Sequence, residues 1–201
     1  MGRRNNRRAQ LYFLLVSVAY APPGISGWYA GGSAGVSLYG LAASDISDGS
    51  FTNSMGAANP SDDGDPAVGL RVFAGFDLSP RLAVEVAYAK LGESDVRAVS
   101  NGCCVWAAGD VTASVEYSGL EASVIAQTDI GRWRLGGRLG LFVWSDSFEA
   151  RDSAGTYKDS DTGASPAVGI IASRDWLRLE LTHYAVEHAV TTVTAGFTFR
   201  P

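Results

Sequence analysis

The sequence predicts an all-β fold of about eight antiparallel strands, and three observations lead to it. Apolar and polar residues alternate with period two in run after run, the repeat of a strand with one greasy face. No stretch approaches the ~18 consecutive apolar residues that a spanning helix needs, so any crossing of a bilayer must be made by strands. The connections between runs alternate between a few residues and long polar segments, which suits antiparallel neighbours hung between a trimmed end and a decorated one. With 201 residues, 24 of them Gly, the chain has room for one such domain.

The alternation is plainest over residues 120–144. Leu120, Ala122, Val124 and Ala126 share one face, with Glu121 and Ser123 on the other. After a polar turn, Leu135, Leu139, Leu141 and Val143 are opposed by Arg134, Gly136, Arg138 and Gly140, which completes a hairpin. A turn centred near Asp129 and Ile130 would set Glu121 directly across from Arg138 on the polar face.

The other strands follow in order. The first spans residues 28–39, with Trp28, Ala30, Ala34, Val36 and Leu38 opposed by Tyr29, Ser33, Gly35 and Ser37. Residues 40–66 read as an exposed loop, acidic at Asp45, Asp48, Asp62, Asp63 and Asp65; its DDGD run lacks the later Glu of a calcium loop. Val68, Leu70, Val72, Ala74 and Phe76 make the second row. A compact turn over residues 77–81 leads to the third, Leu82, Val84, Val86 and Tyr88, and brings Glu85 diagonally near Arg71. A long loop over 92–110 precedes the fourth strand, where Gly119 should mark a bulge because Val115 and Tyr117 are out of phase with Leu120 and Ala122. The hairpin supplies the rest of strands four and five. A third long loop, residues 145–161, leads to a sixth row, Ala164, Pro166, Val168, Ile170 and Ala172, with Pro166 placed near the strand's start. Trp176, Leu177, Leu179 and Leu181 belong to the seventh strand; Val193, Ala195, Phe197 and Phe199 form the eighth.

Residues 1–26 resemble a secretory signal peptide. Arg3, Arg4, Arg7 and Arg8 precede an apolar run over residues 11–21, and Gly24-Ile25-Ser26 offers a small-x-small site with cleavage before Gly27. Ala19-Tyr20-Ala21 offers a second site, followed unfavourably by Pro22. The expected organisation is a signal peptide over 1–26 and one β domain over 27–201. Losing the four arginines leaves twelve cations against 21 acids, a net charge of −9 that argues against a nucleic-acid partner. Cys103 and Cys104 are adjacent and cannot staple distant segments; they could close a vicinal disulfide or pair between chains.

A soluble sandwich or a lipocalin-like barrel would show the same alternation, so the greasy face needs an assignment. Aromatics gather at strand ends: Trp28, Phe76, Trp133, Trp176 and Phe199 towards the short turns, and Tyr39, Tyr88, Tyr117, Trp144 and Tyr184 towards the long loops. Two aromatic rings around aliphatic middles are the girdles of a membrane barrel. The polar face is small except for Arg71, Glu85, Glu121, Arg134, Arg138, Arg178 and Glu180, as a narrow lumen of paired charges requires. With a signal for export, these features predict an eight-stranded antiparallel up-and-down transmembrane β-barrel with short periplasmic turns and long extracellular loops.

Here the sequence resembles the small OmpA-type outer-membrane barrels, through GWYAGGSAG from Gly27, VFAGFDLSPRLAVEVAY from Val72, SPAVGIIASRDWLRLEL from Ser165 and TVTAGFTF from Thr192. The resemblance implies residence in the outer membrane, contact with its lipids and lipopolysaccharide, and insertion by the barrel assembly machinery. That machinery reads a last strand such as Thr194, Gly196, Phe197 and Phe199. Arg200 and Pro201 depart from the terminal-aromatic pattern, and the peptidoglycan-binding domain of larger relatives is not expected after the barrel.

Some barrels of this size act enzymatically on lipid A, but their His-x-Ser-Asn motif is absent: His183 is followed by Tyr184 and Ala185, and His188 is the other histidine. The expectation is a monomeric, non-enzymatic barrel without cofactor or metal, with a structural or surface-interaction role. Its lumen would be plugged by Arg/Glu pairs, and its acidic loops could meet an extracellular ligand. A channel for small solutes or ions is the alternative, and a lipid A-modifying enzyme a more distant one.

Overall fold

A computed structural model of the chain describes residues 27–40, 59–62, 66–100 and 107–201. The expected signal peptide, most of the first acidic loop, and Cys103 with Cys104 lie outside the described residues. Within them the strands are β1 (Trp28–Tyr39), β2 (Asn59–Asp62), β3 (Ala67–Ser79), β4 (Leu82–Ser100), β5 (Gly109–Ile130), β6 (Trp133–Arg151), β7 (Thr156–Asp159), β8 (Thr162–Arg174), β9 (Leu177–Tyr184) and β10 (Val190–Phe199). Leaving aside β2 and β7, each strand pairs antiparallel with the next, and β1 pairs with β10. The sheet closes into an eight-stranded up-and-down barrel whose wall has no free edge. The short strands lie outside the ring, β2 on the outer end of β4 and β7 on the outer end of β6.

Burial separates this barrel from a soluble one. Val68 is 70%, Leu139 64% and Ile170 62% exposed on the outer surface, whereas Glu85 is 2% and Arg138 3% exposed inside. Water would favour the opposite arrangement, so the aliphatic surface is built to meet lipid. Along β6 this surface runs from Leu135 to Val143; eight steps of ~3.3 Å at a tilt of ~40° give a height of ~20 Å, close to the apolar band of such barrels. On β4 and β5 it ends where Lys90 Nζ and Glu116 Oε2 pair at 3.0 Å.

Four sequence expectations are corrected. The turn between β5 and β6 lies at Gly131 and Arg132, beyond the paired Ile130 and Trp133, so Arg138 faces Ile125 and Glu121 faces Phe142. Gly131 has φ 63°, which lets the chain reverse in two residues. No bulge interrupts β5 at Gly119: the register continues through Gly119 and Trp144. Val115 and Tyr117 fall out of phase with Leu120 because they point inward, in step with Glu121. The bulge is on β4, where Leu91 and Gly92 lie opposite Tyr117, with Gly92 at φ 84°. It turns Glu93, Asp95 and Arg97 outward, above the lipid band.

The second and third long loops are also shorter than expected. β4, β5 and β6 continue past the lipid boundary to Ser100, from Gly109 and to Arg151, because the period-two pattern persists there with polar residues outward. At the last short turn β9 begins at Leu177, one residue later than expected, after Asp175 at φ 55°. A Cβ added at Gly131 would meet no atom within 4 Å, so substitution there tests backbone conformation alone. We expect Gly131→Ala to lower stability by about 1–2 kcal/mol, read as a shift of the urea midpoint of refolded protein.

Candidate functional site

The interior is stacked in three layers. Towards the short turns Tyr29, Phe73, Ala83, Ala87, Ile125 and Ile171 form an apolar floor. Towards the long loops Tyr117, Phe142, Trp144, Tyr184, Val186 and Val190 form a larger apolar cluster, joined by Leu91 from the bulge. Phe142 and Tyr184 have ring centroids 4.9 Å apart, and Tyr117 meets Trp144 edge-on at 5.3 Å. Buried polar atoms in this upper cluster are served: Trp144 Nε1 donates to Ser165 Oγ at 2.9 Å and Tyr184 Oη to Glu121 Oε2 at 3.1 Å.

Between the two apolar layers sit three arginines and three glutamates from five strands. Arg71 on β3 reaches Glu85 on β4 at 2.7 Å, and Glu121 on β5 and Glu180 on β9 at 3.4 Å each. Arg138 on β6 reaches Glu180 at 2.9 Å, Glu121 at 3.4 Å and Glu85 at 3.7 Å, and also donates to Thr182. Arg178 holds both oxygens of Glu85, at 2.8 and 3.0 Å, and pairs with Glu180, two residues along its own strand, at 2.7 Å. The Arg178 guanidinium also lies 4.0 Å from the centre of the Phe73 ring. Every member has at least two partners of opposite sign, and the formal charges cancel.

Such an arrangement ties β3, β4, β5, β6 and β9 to one another from within. Each charge lost its hydration on folding, and the neighbours restore that energy only with all six in place. Two cavities that touch Arg178, and Arg71 with Glu180, measure about 20 and 10 Å³, room for a single water each at most.

The chain is thus an antiparallel barrel that is greasy outside and charged inside. The model of the OmpA-like transmembrane domain matches residues 24–174, well over half of the chain. The chain belongs to the OmpA-like transmembrane domain family. Its place is the cell outer membrane. No curated protein matches the chain. Among solved structures, the attachment invasion locus protein Ail of Yersinia pestis, crystallised with the heparin analogue sucrose octasulfate, is 11% identical. It is covered to 99% by 86% of this chain, at a TM-score of 0.49. The N-terminal barrel of Pseudomonas aeruginosa OprF is 11% identical, covering 86% of this chain and 98% of that one at a TM-score of 0.45. Neisserial surface protein A is 13% identical, with 89% and 99% covered, also at 0.45.

On this OmpA-like frame the residues singled out in the sequence take two kinds of place. Arg71, Glu85, Glu121, Arg138, Arg178 and Glu180 meet in the lumen, and Arg134 does not. It lies at the mouth of the short-turn end, partly exposed, with Nε 3.0 Å from Asp129 Oδ1 across the hairpin. Arg134 shares Arg138's parity but stands too near the turn to reach the network. Trp28, Trp176 and Phe199 are exposed on the outer surface near the short turns, Trp28 against Phe199 at 6.3 Å, with Phe76 and Trp133 half-buried at the same end. Towards the loops Tyr88 faces outward, 47% exposed. Tyr117, Trp144 and Tyr184 instead face the lumen, with Tyr39 stacked on Tyr117 at 6.2 Å, which corrects their assignment to the outer girdle. Parity carries the missed signal, because Tyr117 is in step with Glu121, Trp144 with Arg138, and Tyr184 with Arg178 and Glu180.

The histidines are apart from one another. His183 faces outward with Nδ1 3.0 Å from Thr191 Oγ1, and His188 meets Tyr117 Oη at 3.2 Å near the outer mouth. Beyond the lipid band, Asp152 accepts the backbone N–H groups of Ala107, Ala154 and Gly155 at 2.8 Å each. These bonds, that from Ala107 foremost, hold its carboxyl below the usual aspartate range. Glu149 is likewise lowered by its hydrogen bond from Lys158, at 2.6 Å.

Two outcomes follow from this geometry. Replacing Arg138 by Met should lower stability by roughly 3–5 kcal/mol in urea unfolding, because three glutamates lose a partner at once; the Arg138→Met, Glu180→Gln pair should cost less than the sum of its single changes. A depressed carboxyl stabilises above the unfolded pKa and stops doing so as pH falls through the folded value. The Ala107 amide should therefore keep its hydrogen-exchange protection at pH 5 and lose it only below the ordinary aspartate value of about 3.9.

Proposed function

We propose that this chain is a closed outer-membrane barrel with a structural and surface-contact role, and neither a channel nor an enzyme. The filled lumen carries the reading. An apolar floor, a neutral network of six charges and an aromatic cap lie in series along the axis, so an ion would have to displace paired charges and two apolar layers. Among the described residues the charges of the interior are of both signs and paired, which supports a lumen without a single-signed path.

The surface role is supported by the wall of β4, β5 and β6, which rises past the lipid boundary and ends in the β6–β7 ribbon. That ribbon exposes Lys158, Arg151 and Tyr157 to the outside medium, with the half-buried Glu149 between the two cations. Within the same proposal the protein is a monomer inserted by the barrel assembly machinery, lying among lipopolysaccharide and phospholipid, with an unidentified extracellular partner meeting the ribbon and the acidic loops.

Planar-bilayer recording on refolded protein tests the closed lumen. The expected result is no steady conductance in the wild type. A steady conductance that changes in size in Glu121→Ala or Arg138→Ala would replace this reading with a channel through the charge network.

A further inference from the structure

The short-turn end carries five arginines, Arg81, Arg132, Arg134, Arg174 and Arg200, against three acids, Asp77, Asp129 and Asp175. Each acid is engaged. Asp129 holds Arg134 at 3.0 Å, Asp77 holds Arg200 and accepts Gln127 Nε2 at 3.1 Å, and Asp175 stands 3.8 Å from Arg174. Among the described residues Arg81 and Arg132 pair with no carboxylate, and both are exposed.

Arg81 differs from Arg132 in what lies beside it. Its carbonyl accepts the Gln127 N–H at 2.9 Å, which ties the β3–β4 turn to β5. Arg81 borders an apolar furrow of about 1020 Å³ in the lipid-facing surface, with Ala126, Leu135, Gly137, Ile170 and Leu179 along it. The furrow exists because Ala126, Gly137 and Ala172 are small where their neighbours are Leu and Ile. At Gly137 an added Cβ would meet nothing within 4 Å.

A guanidinium at the membrane boundary beside an apolar furrow with ample room for an acyl chain matches the two halves of a glycerophospholipid. We propose that Arg81 and this furrow form a binding site for an anionic phospholipid of the periplasmic leaflet, with the phosphate on the guanidinium and one acyl chain along Ala126, Gly137 and Ile170. Charge selects the headgroup. Arg81 lacks an internal counter-ion, so a lipid of net negative charge neutralises it, whereas a zwitterionic lipid brings its own ammonium to the same place. Burial of methylenes in the furrow supplies close packing that bulk lipid beside a smooth wall does not, and holds the lipid longer than its neighbours.

Native mass spectrometry of protein extracted from outer membranes, titrated in detergent with phosphatidylglycerol or with phosphatidylcholine of the same chains, tests the site. Phosphatidylglycerol should bind more tightly, and Arg81→Gln should weaken it about tenfold while Arg132→Gln, which removes the same charge away from the furrow, changes it less than about twofold. Gly137→Leu, which fills the furrow and leaves every charge in place, should weaken both lipids. Glycerol 3-phosphate, which has the phosphate and no chains, should not compete. Equal affinity for the two lipids, equal effects of the two Arg variants, or competition by glycerol 3-phosphate would each overturn the proposal. Heat-modifiable gel migration confirms that each variant compared is a folded barrel.

Discussion

Charge neutrality inside a narrow lumen is the constraint on which the rest of the molecule depends. A barrel of eight strands leaves an interior just filled by side chains, so six ionised groups there must find one another rather than water. They do so from β3, β4, β5, β6 and β9, strands spread around the ring, which makes the network sensitive to every register between them. A slip of one residue anywhere in that arc would send a charge into lipid and an aliphatic side chain into the lumen. Small residues elsewhere on the inner face, among them Ser33, Ser123 and Thr194, make room for the long arginine side chains. At Gly140 even a Cβ would come within 3.2 Å of Glu121 Oε1 and 2.9 Å of Ser123 Cβ.

The apolar layers above and below have a matching physical purpose. Water admitted to the network would raise the local dielectric and weaken each pair, so excluding it from both sides strengthens them. The outer layer is the heavier one, with Tyr117, Trp144, Phe142 and Tyr184, and it stands where the barrel wall leaves the membrane and the solvent is closest. Tyr184 joins the two regimes, its ring packed on Phe142 and its hydroxyl on Glu121.

The fold was legible because lipid and lumen impose opposite demands on alternate residues, and period two records both. The same rule shows why parts of the site were not. Position near the strand ends assigns Tyr117, Trp144 and Tyr184 to the outer girdle, although their parity puts them inside; position along a strand states depth, and parity alone states side. Gly119 mimics a bulge in the sequence because the change from apolar-out to apolar-in resembles a phase slip when the lumen itself becomes apolar. The hairpin register depended on where two residues could reverse the chain, which Gly131 decides and alternation does not. Arg134 has the right parity and the wrong depth, since a charge one layer from the turn finds its partner in Asp129. The extensions of β4, β5 and β6 were hidden because, outside the membrane, a strand and a loop are both polar on the exposed side.

Arg200, which follows the last outward aromatic Phe199, fits this same logic at the seam where the ring closes. The β1–β10 pairing joins the strands farthest apart in sequence, so its loop-closure cost is the largest in the barrel and local turns give it no help. Arg200 reaches past β1 to Asp77 on β3, and its guanidinium lies 4.6 Å from the centre of the Tyr29 ring on β1. One side chain thus bridges β10, β1 and β3 at the short-turn mouth, while Gln127 on β5 holds the other oxygen of Asp77. Phe199, one residue earlier, still faces outward against Trp28, so the aromatic surface of the last strand is retained. The added charge can therefore clamp the seam without entering the lipid, because the parity that sends Phe199 out is followed by a residue at the mouth, where a cation can pair inward and remain near water.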